Sequence, residues 1–83
     1  MISGRVQGVG FRWSAAAEAG KLGITGFVKN LSNGNVYIEA EGSPEQLEAF
    51  VGWCRKGPPF GFVDSVDIES LPLLNYSEFI IRH

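Results

Sequence analysis

The stretch Gly4 Arg5 Val6 Gln7 Gly8 Val9 Gly10 Phe11 Arg12 leaves this chain few ways to fold. Its glycines let the backbone turn sharply, and Trp13 Ser14 Ala15 Ala16 Ala17 Glu18 Ala19 behind them favours helix. A glycine-rich turn that empties into a helix start gathers unpaired N–H groups at one point, where the helix dipole adds partial positive charge. Such a point binds anions, phosphate most often. Arg12 adds a permanently charged fork in the first turn of the same helix, where it can grip two phosphate oxygens at once. The same residues also suit a plain strand-to-helix turn carrying a surface arginine. The glycine spacing does not fit G-x-G-x-x-G, and no Gly-Lys-Ser/Thr follows, so the machinery for holding a nucleotide is absent.

With 83 residues the chain is expected to form one domain spanning 1–83, burying only about 60 to 65% of its unfolded surface. Hydrophobic residues make up 45% and charged residues 19%, the balance of a globular protein. A net charge of −2 opposes nucleic-acid binding, which needs a basic face, but tolerates one local anion site. No apolar run is long enough for a bilayer span, and the glycine loop follows Met1 Ile2 Ser3 too closely for a signal peptide, so a cytoplasmic location and no membrane partner are expected. Cys54, the single cysteine, excludes an intrachain disulfide and a thiolate cluster, and it falls on an apolar helical stripe as a core filler. His83 stands at the terminus, where fraying is expected rather than ligation or base catalysis.

Along the chain, Ile2 to Val6 reads as a short strand. Phe11, Ala15, Ala19 and Leu22 make a narrow apolar stripe on a helix that Gly23 ends. Ile24 to Asn30 is the next strand, and Asn33 Gly34 mark a hairpin into Val36 to Glu41, where Val36, Ile38 and Ala40 face inward and Tyr37, Glu39 and Glu41 meet water. Ser43, Pro44 and Gln46 spell a capped helix start; Leu47, Phe50, Val51 and Cys54 repeat at helical spacing until Gly57. Trp53 lies off that stripe and is expected to cap a core edge. Phe60 Gly61 Phe62 reads as a loop, Val63 to Ser70 as a half-buried strand, Leu71 to Tyr76 as an unusually apolar connector, and Phe79 to Arg82 as a short closing strand. The order predicts an α+β fold: a ferredoxin-like split βαβ sandwich with two helices on one face of an antiparallel sheet.

In that arrangement the glycine loop and the end of the second strand lie close together, which brings Asn30 toward Arg12. A carboxamide offers a donor and an acceptor without charge, so it can position water beside a phosphate; on local sequence the commoner role of asparagine here is to end a strand and open a hairpin. The loop, the block Gly23 Ile24 Thr25 Gly26 Phe27 Val28 Lys29 Asn30, the strand Gly34 Asn35 Val36 Tyr37 Ile38 Glu39 Ala40 Glu41 Gly42, the run Trp53 to Pro59 and the ending Phe79 Ile80 Ile81 Arg82 together resemble the acylphosphatase family over nearly the whole chain.

The resemblance implies the ferredoxin-like sandwich and hydrolysis of a small-molecule acyl phosphate to a carboxylate and inorganic phosphate. It implies a substrate loop of Gln7, Gly8, Val9, Gly10, Phe11 and Arg12, with Arg12 and Asn30 catalytic, and neither metal nor cofactor. A monomer with no nucleic-acid partner is expected. The family usually carries a longer strand ahead of Ser3 Gly4 Arg5, so stability is where this chain is expected to suffer. The competing readings are a phosphate-binding or accessory domain without turnover, and a single-stranded RNA binder, which exposed Glu39 and Glu41 would disfavour.

Overall fold

A computed structural model describes residues 1–83. Seven elements follow one another: β1 (Ile2–Arg5), α1 (Phe11–Leu22), β2 (Thr25–Asn30), β3 (Val36–Glu41), α2 (Pro44–Lys56), β4 (Phe62–Val66) and β5 (Phe79–Arg82). The strands form one sheet in the order β4-β1-β3-β2-β5. Both helices pack on one face of it and touch each other. The sheet is mixed rather than antiparallel throughout, because β5 runs parallel to β2, Gly26 to Lys29 lying beside Phe79 to Arg82. The connector after β4 accounts for this: it carries the chain back across the sheet before β5 begins, so the chain enters β5 in the direction of β2.

The helix boundaries follow local chemistry. Ser43 accepts from the Gln46 N–H while Gln46 Oε1 accepts from the Ser43 N–H at 2.7 Å, closing the capping box that the sequence predicts. Gly23, left-handed at φ 75°, ends α1 by donating to Ala19 and Gly20. On α1, Phe11, Ala15 and Ala19 are buried; on α2, Phe50 and Cys54. They meet Ile2, Val6, Ile24, Val28 and Val36 of the sheet side in one core. Trp53 packs against that core as expected, lying 5.4 Å from the Phe11 ring and stacked on Phe50 at 6.3 Å.

Strand lengths follow from the availability of partners. β2 and β3 pair over six positions, Thr25 with Glu41 through Asn30 with Val36. β1 meets β3 only at Ile2 and Val36, but meets β4 from Ile2–Val66 to Arg5–Phe62. β4 therefore starts at Phe62, inside the expected loop, and stops at Val66 rather than Ser70. Beyond Val66 only Met1 remains to pair with, and Ile68 is 61% exposed. An alternating pattern cannot hold a strand once its neighbour runs out.

The sheet face opposite the helices carries Tyr37, Glu39 and Glu41, and it is not bare. Tyr37 and Tyr76 both donate to Glu39, at 2.6 and 2.5 Å. Glu41 accepts from the N–H groups of Leu74, Asn75 and Tyr76, which pins the apolar connector across this face. Phe27 is buried here beneath Tyr37, Tyr76 and the Arg82 guanidinium, which sits 3.9 Å above its ring. The two glutamates are thus half-buried and bonded rather than freely exposed.

Two expectations follow. The phenols of Tyr37 and then Tyr76 hold the Glu39 carboxyl below its ordinary value, and the connector amides, Leu74 first, do the same for Glu41. Lowered folded values mean stability that is present above the ordinary value of 4.5 and is lost as pH falls through the folded values. Melting temperature should decline on acidification below that point, and Glu41→Ala should flatten the decline; an unchanged slope in the variant would contradict the assignment. Burial pushes the Cys54 thiol up to about 12, so iodoacetamide should label it at neutral pH only at the rate of global unfolding, read by mass spectrometry.

Candidate active site

The loop between β1 and α1 turns through Gly8 and Gly10 at φ 74° and 77°. No atom stands within 4 Å of a Cβ built at either position, so conformation rather than crowding asks for glycine there. Gly10 is the N-cap of α1, and no side chain caps it. The Ser14 N–H, bonded to the Gly10 carbonyl at 3.0 Å, opens the helical ladder. The N–H groups of Phe11, Arg12 and Trp13 precede that ladder and have no helical carbonyl to bond. The first turn carries no acidic residue, leaving its positive end uncompensated.

These groups border a cavity of about 180 Å³, lined by Val6, Gly8, Gly10 and Phe11 together with Arg12, Trp13 and Asn30. The structure thus unites the glycine loop with Asn30 across the sheet, as the sequence leads one to expect. Phe11 contributes through its backbone, since its ring is buried in the core. Trp13, 77% exposed, is a wall that sequence reasoning missed. Its only sequence signal was its place one residue after Arg12. A larger cavity of about 680 Å³ lies elsewhere, but Glu39, Glu41, Asp67 and Glu69 line it against the single Met1 ammonium, so its net charge disfavours anions.

The Arg12 guanidinium donates through Nη1 to the Arg82 carbonyl at 3.1 Å and lies 3.2 Å from His83 Nδ1. The end of β5 therefore steadies Arg12, and His83, expected to fray, takes part in that contact. Donors on Nε and Nη2 lie outside these two contacts, enough for a bidentate grip.

Gln7 and Val9 stand outside the cavity's lining. Val9 packs against the core. Gln7 Nε2 donates to the carbonyls of Leu31 and Asn35 at 2.6 and 2.9 Å, tying the glycine loop to the turn that follows Asn30. In that turn Leu31 and Asn35 also pair through the Leu31 N–H, and the Asn33 side chain accepts from the Asn35 N–H. The start of α1, which no side chain caps, thus borders one cavity together with Arg12 and Asn30.

The family model for acylphosphatase matches residues 1–81. The chain belongs to the acylphosphatase family. An acylphosphatase of Thermococcus kodakarensis is 53% identical over 68 residues, covering 82% of this chain and 75% of that protein. One of Methylococcus capsulatus is 43% identical over 82 residues, covering 98% of this chain and 89% of that protein. The crystal structure of acylphosphatase from Bacillus subtilis superposes with a TM-score of 0.94 at 41% identity, over 99% of this chain and 92% of that one. The chain is thus an enzyme that hydrolyses acyl phosphates, and its ferredoxin-like fold is shared with solved relatives. These likenesses favour the enzyme over a binding module without turnover.

Gln7 ties the glycine loop to the turn after Asn30 in a way that can be tested. Gln7→Ala removes two hydrogen bonds, worth about 1 to 3 kcal/mol together, and should lower the melting temperature by several degrees while reducing kcat/KM. Unchanged melting and turnover would show that the clamp does not hold the site.

Proposed function

We propose that the Gly8 to Arg12 backbone and the Arg12 guanidinium hold the phosphoryl group of a small acyl phosphate while the Asn30 carboxamide aims the attacking water. The observation that carries this reading is the single cavity bordered by the uncapped start of α1, Arg12 and Asn30. Gln7 serves that site by positioning its loop, and Val9 by anchoring it in the core.

In the proposed reaction, water oxygen bonds to phosphorus as the bond from phosphorus to the carboxylate oxygen breaks. The carboxylate departs with the electron pair, and the water proton passes to a phosphate oxygen. Charge spreads over the equatorial oxygens in the transition state, where N–H donors and a guanidinium act most strongly. A carboxylate leaves readily, so the chemistry asks for no strong general acid. The cavity lining offers no carboxylate, imidazole or thiolate to a metal ion, which supports a metal-independent reaction. The reading is completed by a monomeric, cytoplasmic protein whose residues 1–83 form one domain, without a nucleic-acid partner. A net charge of −2 supports the last point, and no helix is long and apolar enough to cross a membrane.

Hydrolysis of benzoyl phosphate tests the roles. Arg12→Ala should raise KM and lower kcat/KM by about 10²-fold or more, whereas Asn30→Ala should lower kcat by a similar factor with KM nearly unchanged. Turnover should persist in a chelator. Parental kcat in Asn30→Ala, or activity abolished by the chelator and restored by a divalent cation, would overturn the assignment.

A further inference from the structure

The buried stripe of α1 starts at Phe11, so Trp13, two residues on and about 200° further round the helix, points away from the core. That accounts for its 77% exposure. Side chains on a helix lean toward its N-terminus, which sets the Trp13 indole over the turn where the unbonded amides begin. Trp13 accordingly borders the cavity of about 180 Å³ beside Arg12 and Asn30. The other tryptophan is placed differently: Trp53 lies against Phe11 and Phe50, whereas Trp13 meets no aromatic ring.

Among the residues lining that cavity, Trp13 alone offers apolar side-chain surface to a ligand. Val6 and Phe11 are each 1% exposed, with their side chains in the core. Gly8 and Gly10 have no side chain, and Arg12 and Asn30 are polar. A volume of about 180 Å³ also falls below the roughly 300 to 1,000 Å³ of pockets that enclose a whole drug-sized ligand. A space of this size suits a phosphoryl group with its water. The organic part of the substrate is then left at the mouth, where an exposed wall can meet it.

Resting on the reading of this cavity as the phosphoryl site, we propose that Trp13 is a specificity-determining residue. Its indole face is the platform for the acyl group, and it selects acyl phosphates with a flat aromatic acyl group over those with a short aliphatic one. A planar acyl group covers the ring and takes apolar surface of both partners out of water, while an acetyl group covers little of it. The face of an indole is the negative side of its quadrupole, so a further carboxylate on the acyl chain gains nothing there. The contact lies away from phosphorus and its oxygens, so Trp13 binds substrate and transition state alike. Its contribution falls on KM rather than on kcat.

The test compares kcat and KM for benzoyl phosphate and acetyl phosphate, with inorganic phosphate as competitive inhibitor. Trp13→Ala should raise KM for benzoyl phosphate about three- to tenfold with kcat nearly unchanged, and leave acetyl phosphate within about twofold of the parent. Trp13→Phe should restore most of the preference. Phe60→Ala removes an aromatic ring that is 83% exposed but outside the cavity lining, and should change neither substrate. Melting temperature and phosphate inhibition should stay at parental values in Trp13→Ala, because the buried stripe and the phosphoryl contacts are intact. An unchanged benzoyl-to-acetyl ratio in Trp13→Ala would overturn the proposal. So would an equal loss with both substrates, or a ratio that Trp13→Phe does not recover. The reading of the phosphoryl site fails by a different sign, phosphate inhibition undiminished in Arg12→Ala, on which the Trp13 ratio does not report.

Discussion

The reach of Gln7 to the Leu31 and Asn35 carbonyls is the contact on which the rest of the site depends. The glycine loop and Asn30 belong to strands that are not neighbours, since β3 lies between β1 and β2. Sheet hydrogen bonds alone do not bring a loop leaving β1 to the end of β2. The glutamine crosses that distance, and it satisfies carbonyls of a turn that Asn33 and Gly34 have already bent. A loop tied in this way can leave its own N–H groups unbonded, because its shape does not depend on pairing them. That freedom is what an anion receptor needs.

The same economy governs the sheet. β2 and β3 form the long ladder, with the helices covering one side and the Glu41-pinned connector crossing the other. β1 is interior yet touches β3 at a single pair, and its main ladder lies with β4. Hence the chemistry and the weak seam stand at opposite ends of β1. The loop at its C-terminal end borders the Arg12 cavity, while its N-terminal end borders the larger one. Ile2, buried in the core, anchors the N-terminal end of β1.

Much of this was legible in the sequence because the decisive signals are local. The capping box at Ser43, the left-handed stop at Gly23 and the alternation of Val36, Ile38 and Ala40 each follow from a few neighbouring residues, and each stands as expected. Arg12 and Asn30 were legible as polar residues placed where a glycine-rich turn and a strand end meet. What was hidden depends on partners distant in sequence. The parallel course of β5 is decided by the path of the connector, and the early end of β4 by the extent of β1. The bonding of Glu39 and Glu41 needs Tyr76 and backbone amides more than thirty residues on, which no spacing rule foresees. Gln7 sits among the glycines that suggested substrate contact, yet its amide turns to the hairpin.

The central claim is that one receptor, made of the α1 N-terminal amides, Arg12 and Asn30, takes the phosphoryl group. Titrating inorganic phosphate into the ¹⁵N-labelled protein tests it most directly. The account predicts the largest shifts at the backbone amides of Gly8, Gly10, Phe11 and Arg12 and at the Asn30 carboxamide, all lost in Arg12→Ala. Shifts centred elsewhere, or undiminished in that variant, would contradict it.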